Sequence, residues 1–276
     1  MIISIEGDEA VGKTALAYTG PLPIVGFAFD MGAERAIYGG RYLDYFDNLD
    51  IHMEPYDPGI KADTLTWNHD ITVFELPQPI QLSGTRVVGC KELWEYFIVL
   101  VAKAMSDPKV RTIVIDTMTV ARRVKAEAHL QDLQEHPKPG DQIRVRLQQV
   151  EWGPPNDAVR NLFTMASGLK KNLVAVHHLT DERGTTFDKN GVAQSVLTGN
   201  RMLEGLNHTY RFVDIALRMT KVRGKGVKAE MLKCGYNLAL EGTTKDNPCY
   251  DDVIDWINLG GRLNLDRRMP CPDTAK

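Results

Sequence analysis

Apolar residues follow two rhythms along this chain. Short runs of β-branched and aliphatic residues alternate with longer stretches in which apolar positions recur every three or four residues. The short runs predict buried sheet strands, and the longer ones predict helices packed against them. Met1 to Ile5, Pro23 to Asp30 and Ile71 to Leu76 read as the first three strands. Lys91 to Met105 reads as a helix, with Leu93, Trp94, Phe97, Ile98, Val101, Ala102 and Met105 at helical spacing. Val110 to Thr117 is the next strand. A helix follows it to about Gln134 and breaks at Pro137-Lys138-Pro139-Gly140. Another helix starts near Pro155 and ends at Gly168 to Lys171, before a buried strand, Asn172 to His178, with two polar residues at its end. From Phe212 short strands succeed one another without helices: Val213 to Met219, Val227 to Cys234 and Tyr236 to Leu240. Such succession predicts antiparallel pairing. The pattern is that of an α/β fold with a mainly parallel central sheet flanked by helices and an antiparallel C-terminal edge.

Between the first strand and the first helix lies Gly7-Asp8-Glu9-Ala10-Val11-Gly12-Lys13-Thr14, which matches the phosphate-loop pattern G-x-x-x-x-G-K-[ST] in its required strand–loop–helix context. In such a loop the backbone N–H groups between Gly7 and Gly12 wrap a β-phosphate, and Gly7 to Ala15 are the expected nucleotide-binding residues. Lys13, expected to be exposed, would bridge β- and γ-phosphate oxygens, and Thr14 would ligate magnesium. Asp116 ends an apolar strand about a hundred residues later, where it would hold the same magnesium ion directly or through water. The alternative is an ordinary strand end, with Asp116 or Thr117 capping the next helix. ATP and Mg²⁺ are therefore the expected ligands.

Phe27-Ala28-Phe29-Asp30 followed by Gly32 and Glu34, Ile113-Val114-Ile115-Asp116-Thr117 before a helix, Trp152-Gly153 opening another, and Val174-Ala175-Val176-His177-His178 before a glycine-containing loop and Phe212-Val213-Asp214 form one constellation. Over about residues 1–240 the chain resembles a minimal RecA-like P-loop ATPase core. It is most similar to the short phage nucleotide-binding proteins of that class, some of which are single-strand annealing (Sak-type) ATPases resembling a trimmed Rad-type recombinase. The resemblance implies an acid after the second strand that polarises the attacking water. Asp30 stands at the strand end, but Gly32 occupies the place of the usual glutamate, and Glu34 follows one helical turn later. Glu34 reads equally as a solvated charge in a first helical turn. The resemblance also implies a γ-phosphate sensor at the His-ended strand. Only one of His177 and His178 can face the nucleotide, because successive strand residues point to opposite faces.

The same resemblance implies single-stranded DNA and a homo-oligomer, ring or filament, with nucleotide between subunits, and admits a single-strand binding protein as partner. Thr180 to Gly191 stands where the family's second DNA loop lies. There Phe187 would stack on a base while Arg183 and Lys189 meet phosphates. Asp181, Glu182 and Asp188 offset those charges, so a plain hairpin-like loop is the competing reading. Arg144 and Arg146, with Lys138, mark a candidate first loop. The densest basic run, Lys221 to Lys228, includes Lys221, Arg223 and Lys225 as further DNA contacts and predicts a hairpin tip. Lys228 and Lys233 are candidates for a cation reaching a neighbouring subunit's nucleotide.

A formal net charge of -3 excludes global basicity as the basis of DNA affinity, so contacts must be local. Cys90, Cys234, Cys249 and Cys271 lack metal-ligand spacing and suit a reducing cytosol. No apolar run approaches a membrane span and no signal-type segment precedes the first strand, so a cytoplasmic protein (bacterial, or phage-encoded in a bacterial host) with no membrane partner is expected. Residues 1–260 are expected to form the ATPase core and 261–276 a tail or arm. Three alternatives stay open: a helicase-type motor core, a small-molecule kinase with Arg122-Arg123 as part of its lid, and an assembly ATPase that acts without DNA.

Overall fold

The computed structural model describes residues 1–39, 41–59, 61, 64–137, 144–189, 191–206, 208–222, 226–258 and 265. In chain order, β1 (Ile2–Gly7), α1 (Lys13–Ala17), β2 (Ile24–Ala28), α2 (Ala33–Tyr38), α3 (Leu43–Phe46), β3 (Ile51–Glu54) and β4 (Ile71–Glu75) come first. Next are α4 (Cys90–Ser106), β5 (Thr112–Asp116), α5 (Met118–Glu135), α6 (Gly153–Gly168) and β6 (Asn172–Phe187). The chain continues through β7 (Ala193–Leu203), β8 (Ile215–Val222), β9 (Gly226–Cys234), β10 (Thr244–Asp246) and α7 (Tyr250–Ile257).

The sheet runs in the order β10-β9-β8-β1-β6-β5-β2-β4-β3, with β7 paired to β6. From β3 to β8 every neighbouring pair is parallel. β9 and β10 add antiparallel strands at one edge. The expected α/β architecture is thus present. Parallel strands all end on one side, so the phosphate-loop sequence, Asp30, Asp116 and the two histidines emerge along a single edge of the sheet.

Two hydrophobic cores follow from the two-residue period of the strands. Phe27, Ile113, Ile115, Leu173 and Ala175 face α4, α5 and α6. Ile24, Val114, Val174, Val176, Ile3 and Ile5 face α1, α2, α3 and α7. Gly26 makes room for the fully buried Tyr18 of the α1 C-terminus, since a Cβ there would lie 2.2 Å from the phenol oxygen. No helix among the described residues is long and apolar enough to cross a membrane.

Several expected elements need correction. The short edge strand β3 adds to the expected elements; Ile51 and Met53 alternate with His52 and Glu54, the period of a half-buried strand, but over only four residues. Tyr236 to Leu240 is no strand but ends in a 3-10 turn, Leu238–Leu240, capped by the Asn237 side chain. The C-terminal part is not free of helices, because α7 packs Tyr250, Val253, Ile254 and Ile257 into the second core. Thr180 to Phe187 belongs to β6, which leaves the sheet and pairs with β7 as a two-stranded ribbon. Most of the expected tail, residues 261–264 and 266–276, lies outside the described residues, as do Lys138, Arg223 and Lys225. Leu265 packs against the second core.

Candidate functional site

The segment between β1 and α1 adopts the backbone that its glycines permit. Gly12 has φ 85° at the α1 N-cap, the left-handed region that favours glycine. At Gly7 a Cβ would fall 2.4 Å from the Met219 carbonyl oxygen of β8. Ala10 also takes a positive φ of 55°. The loop closes around Lys13, whose Nζ donates to the carbonyls of Gly7 at 2.9 Å and Asp8 at 2.6 Å. Lys13 is therefore only 7% exposed, contrary to the expectation of a free side chain. Burial lowers its pKa, while Asp116, Asp30, Asp8 and Glu9 act against that shift.

A cavity of about 600 Å³ opens over this loop. Glu9, Ala10, Val11, Gly12, Lys13, Thr14 and Ala15 form its floor. Asp30, Asp116, Thr117, Val176 and His178 line one side, and Arg35 and Arg41 line another. Asp116 is fully buried and neither of its carboxylate oxygens has a hydrogen-bond partner. Thr117, not Asp116, caps α5, accepting from Val120 N at 3.2 Å, which leaves the aspartate uncommitted. Burial, reinforced by the Asp30 charge, pushes the Asp116 pKa up to about 7, against the pull of the Thr14 hydroxyl and the Lys13 ammonium. A buried carboxylate with no close hydrogen bond, facing the Thr14 hydroxyl, offers oxygen ligands that suit a hard divalent cation.

The two histidines separate as strand geometry requires. His178 lines the cavity, and its backbone N–H is held by Thr119 Oγ1 at 3.0 Å. His177 is fully buried outside the cavity lining, with no hydrogen-bond partner for either ring nitrogen. Burial, then the neighbouring His178 and Lys13, lowers its pKa to about 3, so it stays neutral. Burial also lowers the pKa of His178, followed by Lys13. Of the two acids after β2, Asp30 lines the cavity and accepts from Gly32 N at 3.1 Å, whereas Glu34 is exposed on α2 outside the lining.

The candidate DNA-contacting residues lie away from the cavity. Arg183, Phe187 and Lys189 are exposed along the β6–β7 ribbon. Their acidic neighbours are engaged there: Asp181 with Arg201, Glu182 with Thr198 and Asn200, and Asp188 with Val192 N. Arg144 pairs with Glu151, and Arg146 is exposed nearby. Lys221 is exposed near the end of β8, where Val222 pairs with Gly226 of β9. Lys228 lies 3.9 Å from Asp246. Lys233 is held inside the chain, donating to the carbonyls of Tyr210 and Val213 at 2.7 and 2.6 Å. Arg122 stacks over Trp152 and donates to Asn156, while Arg123 pairs with Glu204; neither lines the cavity.

Some lining and supporting residues carry no motif. Arg35 and Arg41 reach the cavity, and the Arg41 guanidinium packs over Gly12. Arg201 of β7 forms an ion pair with Asp8 at 2.8 Å. Glu6, fully buried at the end of β1, accepts from Arg218 and Tyr210. Of these, Glu6 alone has a signal in the sequence, as a lone acid in an apolar strand directly before the loop. No protein-family model matches the chain, and no curated protein is a significant match to it.

Proposed function

We propose that this chain binds ATP with magnesium on the Gly7–Thr14 loop and works as a RecA-like, recombination-type ATPase on single-stranded DNA. The observation that carries the reading is the buried, partnerless carboxylate of Asp116, set in one cavity with Lys13 and Thr14. Bound triphosphate would take over the Lys13 ammonium from the Gly7 and Asp8 carbonyls. Thr14 and Asp116 would hold the magnesium ion directly or through water, and its charge would keep Asp116 ionised. The ion supplies electrostatic stabilisation of charge on the phosphoryl oxygens. In hydrolysis a water oxygen forms the new bond to the γ-phosphorus as the bond to the β–γ bridging oxygen breaks, leaving ADP and inorganic phosphate. Asp30, the acid that lines the cavity, is the residue to orient that water and accept its proton. His178 is the residue to report the γ-phosphate, because β6 stands between the loop strand β1 and the acid strand β5.

The ribbon that continues β6 supports the DNA part of the reading. Its acids are engaged locally, while Arg183 and Lys189 have no ion pair among the described residues, and Phe187 is 68% exposed. Exposed aromatic and cationic side chains on one ribbon suit stacking on bases and contact with phosphates. An oligomer with nucleotide between subunits belongs to the same reading. Lys228 is then the cation to reach across, since Lys233 is held by two carbonyls of its own chain.

ATP hydrolysis with and without single-stranded DNA, over a salt series, tests the proposal. Stimulation that fades as salt rises is the expected result, because phosphate contacts release counterions. Nucleotide binding with hydrolysis indifferent to DNA would overturn the recombination reading in favour of a DNA-independent ATPase or kinase. No nucleotide binding at all would overturn the whole.

A further inference from the structure

The phosphate-loop sequence carries two acids: Glu9 lines the cavity, and Asp8, just outside the lining, is close enough for its charge to act on Lys13. Each like charge near a triphosphate weakens binding. Asp8, however, is not left alone. The Arg201 guanidinium reaches it from the second ribbon strand, with Nη2 donating to Asp8 Oδ1 at 2.8 Å. The same fork donates from Nη1 to Asp181 Oδ1 at 2.8 Å, and from Nη2 to the Leu179 carbonyl at 3.2 Å. One side chain thus ties the loop to both strands at the base of the ribbon.

Resting on the nucleotide-binding reading above, we propose that Arg201 is a positioning residue of the nucleotide site: it neutralises Asp8 and so sets the affinity for triphosphate. The importance of the contact lies in its place rather than its strength. As an accessible ion pair it adds little to stability. At the loop, the same cation offsets a charge that would otherwise oppose a polyanion at close range. Lys13 cannot replace it, because its ammonium serves the Gly7 and Asp8 carbonyls or the phosphates themselves. Because Arg201 also grips Asp181, a ligand that reorients the base of the ribbon shifts triphosphate affinity. By linkage, triphosphate shifts the affinity of that ligand by the same factor.

The test is equilibrium binding of a slowly hydrolysed ATP analogue with Mg²⁺, measured by calorimetry on the full chain. Arg201→Ala is expected to weaken binding about five- to thirtyfold, the lower part of the usual range of such coupling. Arg201→Lys retains most of the affinity and Arg201→Glu loses more than alanine does. The diagnostic variant is Asp8→Asn combined with Arg201→Ala, which recovers most of the loss because the loop then carries no Asp8 charge, and the Asp181 left behind is solvated on the ribbon. Equal affinity in wild type and Arg201→Ala would overturn the proposal, as would a loss that persists in the double variant. Should Arg201→Ala fail to fold, the lysine and glutamate variants decide alone: equal affinities would overturn the charge-based role. A wild-type chain that binds no nucleotide would instead refute the parent reading, and this proposal with it.

Discussion

Arg218 on β8 donates from Nε to Glu6 Oε1 on β1 across 2.6 Å, immediately before the phosphate-loop sequence begins. Glu6 is fully buried, and its other oxygen accepts from the Tyr210 hydroxyl at 2.5 Å. Arg218→Met would strand the carboxylate. We expect a loss of about 3 kcal/mol, the low end for a broken buried pair, since Arg218 keeps some solvent contact. Urea denaturation checks this, and Glu6→Gln in the same background should recover part of the loss.

Lys13→Met tests the loop itself. Removing the ammonium should weaken MgATP binding about ten- to a hundredfold, the worth of a hydrogen bond to a charged group. Because Lys13 is buried and holds two carbonyls, some thermal stability should go with it, which an exposed lysine would not predict. Calorimetry and a melting curve separate the effects. Unchanged affinity would remove Lys13 from the site.

Asp116 gives the free protein a pH signature. Its pKa is raised by burial and by Asp30 to about 7. The protonated form is therefore favoured in the folded chain, and the benefit is full below the ordinary carboxylate pKa. As pH climbs from there through about 7, the unfolded chain ionises first and that stability is lost. Asp116→Asn should consequently be more stable than wild type at pH 8, by about 4 kcal/mol, with the gap closing towards pH 4. The same variant should lose magnesium-dependent hydrolysis. A pH-independent gap would mean that the carboxylate is not buried uncompensated.

Phe187→Ala should weaken single-stranded DNA binding by about 1–3 kcal/mol if a base stacks there. Removing both Arg183 and Lys189 should flatten the salt dependence, by roughly 0.7 in slope for each phosphate no longer neutralised. Fluorescence anisotropy with a labelled oligonucleotide measures both. Wild-type affinity and slope in these variants would move the DNA elsewhere on the molecule.

The parallel core and the loop are legible in the sequence because each depends on local residues. Ile113 to Ile115 is a short β-branched run of the kind buried strands use, and Gly7 to Thr14 is contiguous. The helix α7 also has a local signal, weaker for its brevity: Tyr250, Val253, Ile254 and Ile257 have the i, i+3, i+4, i+7 spacing of a helix face. The ribbon has none, because both faces of Arg183 to Phe187 meet water and only its backbone ladder makes it a strand. Arg41 over Gly12 and Arg201 against Asp8 are equally hidden, since tertiary folding alone brings those segments together.

β6 is one 16-residue strand that starts in the core and ends in solvent, so His178 and Phe187 lie on the same strand, either side of one irregularity. At roughly 3.3 Å per residue, the projecting part is a lever of about 25–30 Å. A tilt of some 10° at its root sweeps the tip through about 5 Å, nearly a strand spacing. The irregularity between Asp181 and Arg183 sets the angle of the arm, beside the fork of Arg201. Displacements too small to notice at the cavity thus become large ones where the ribbon would meet whatever it grips.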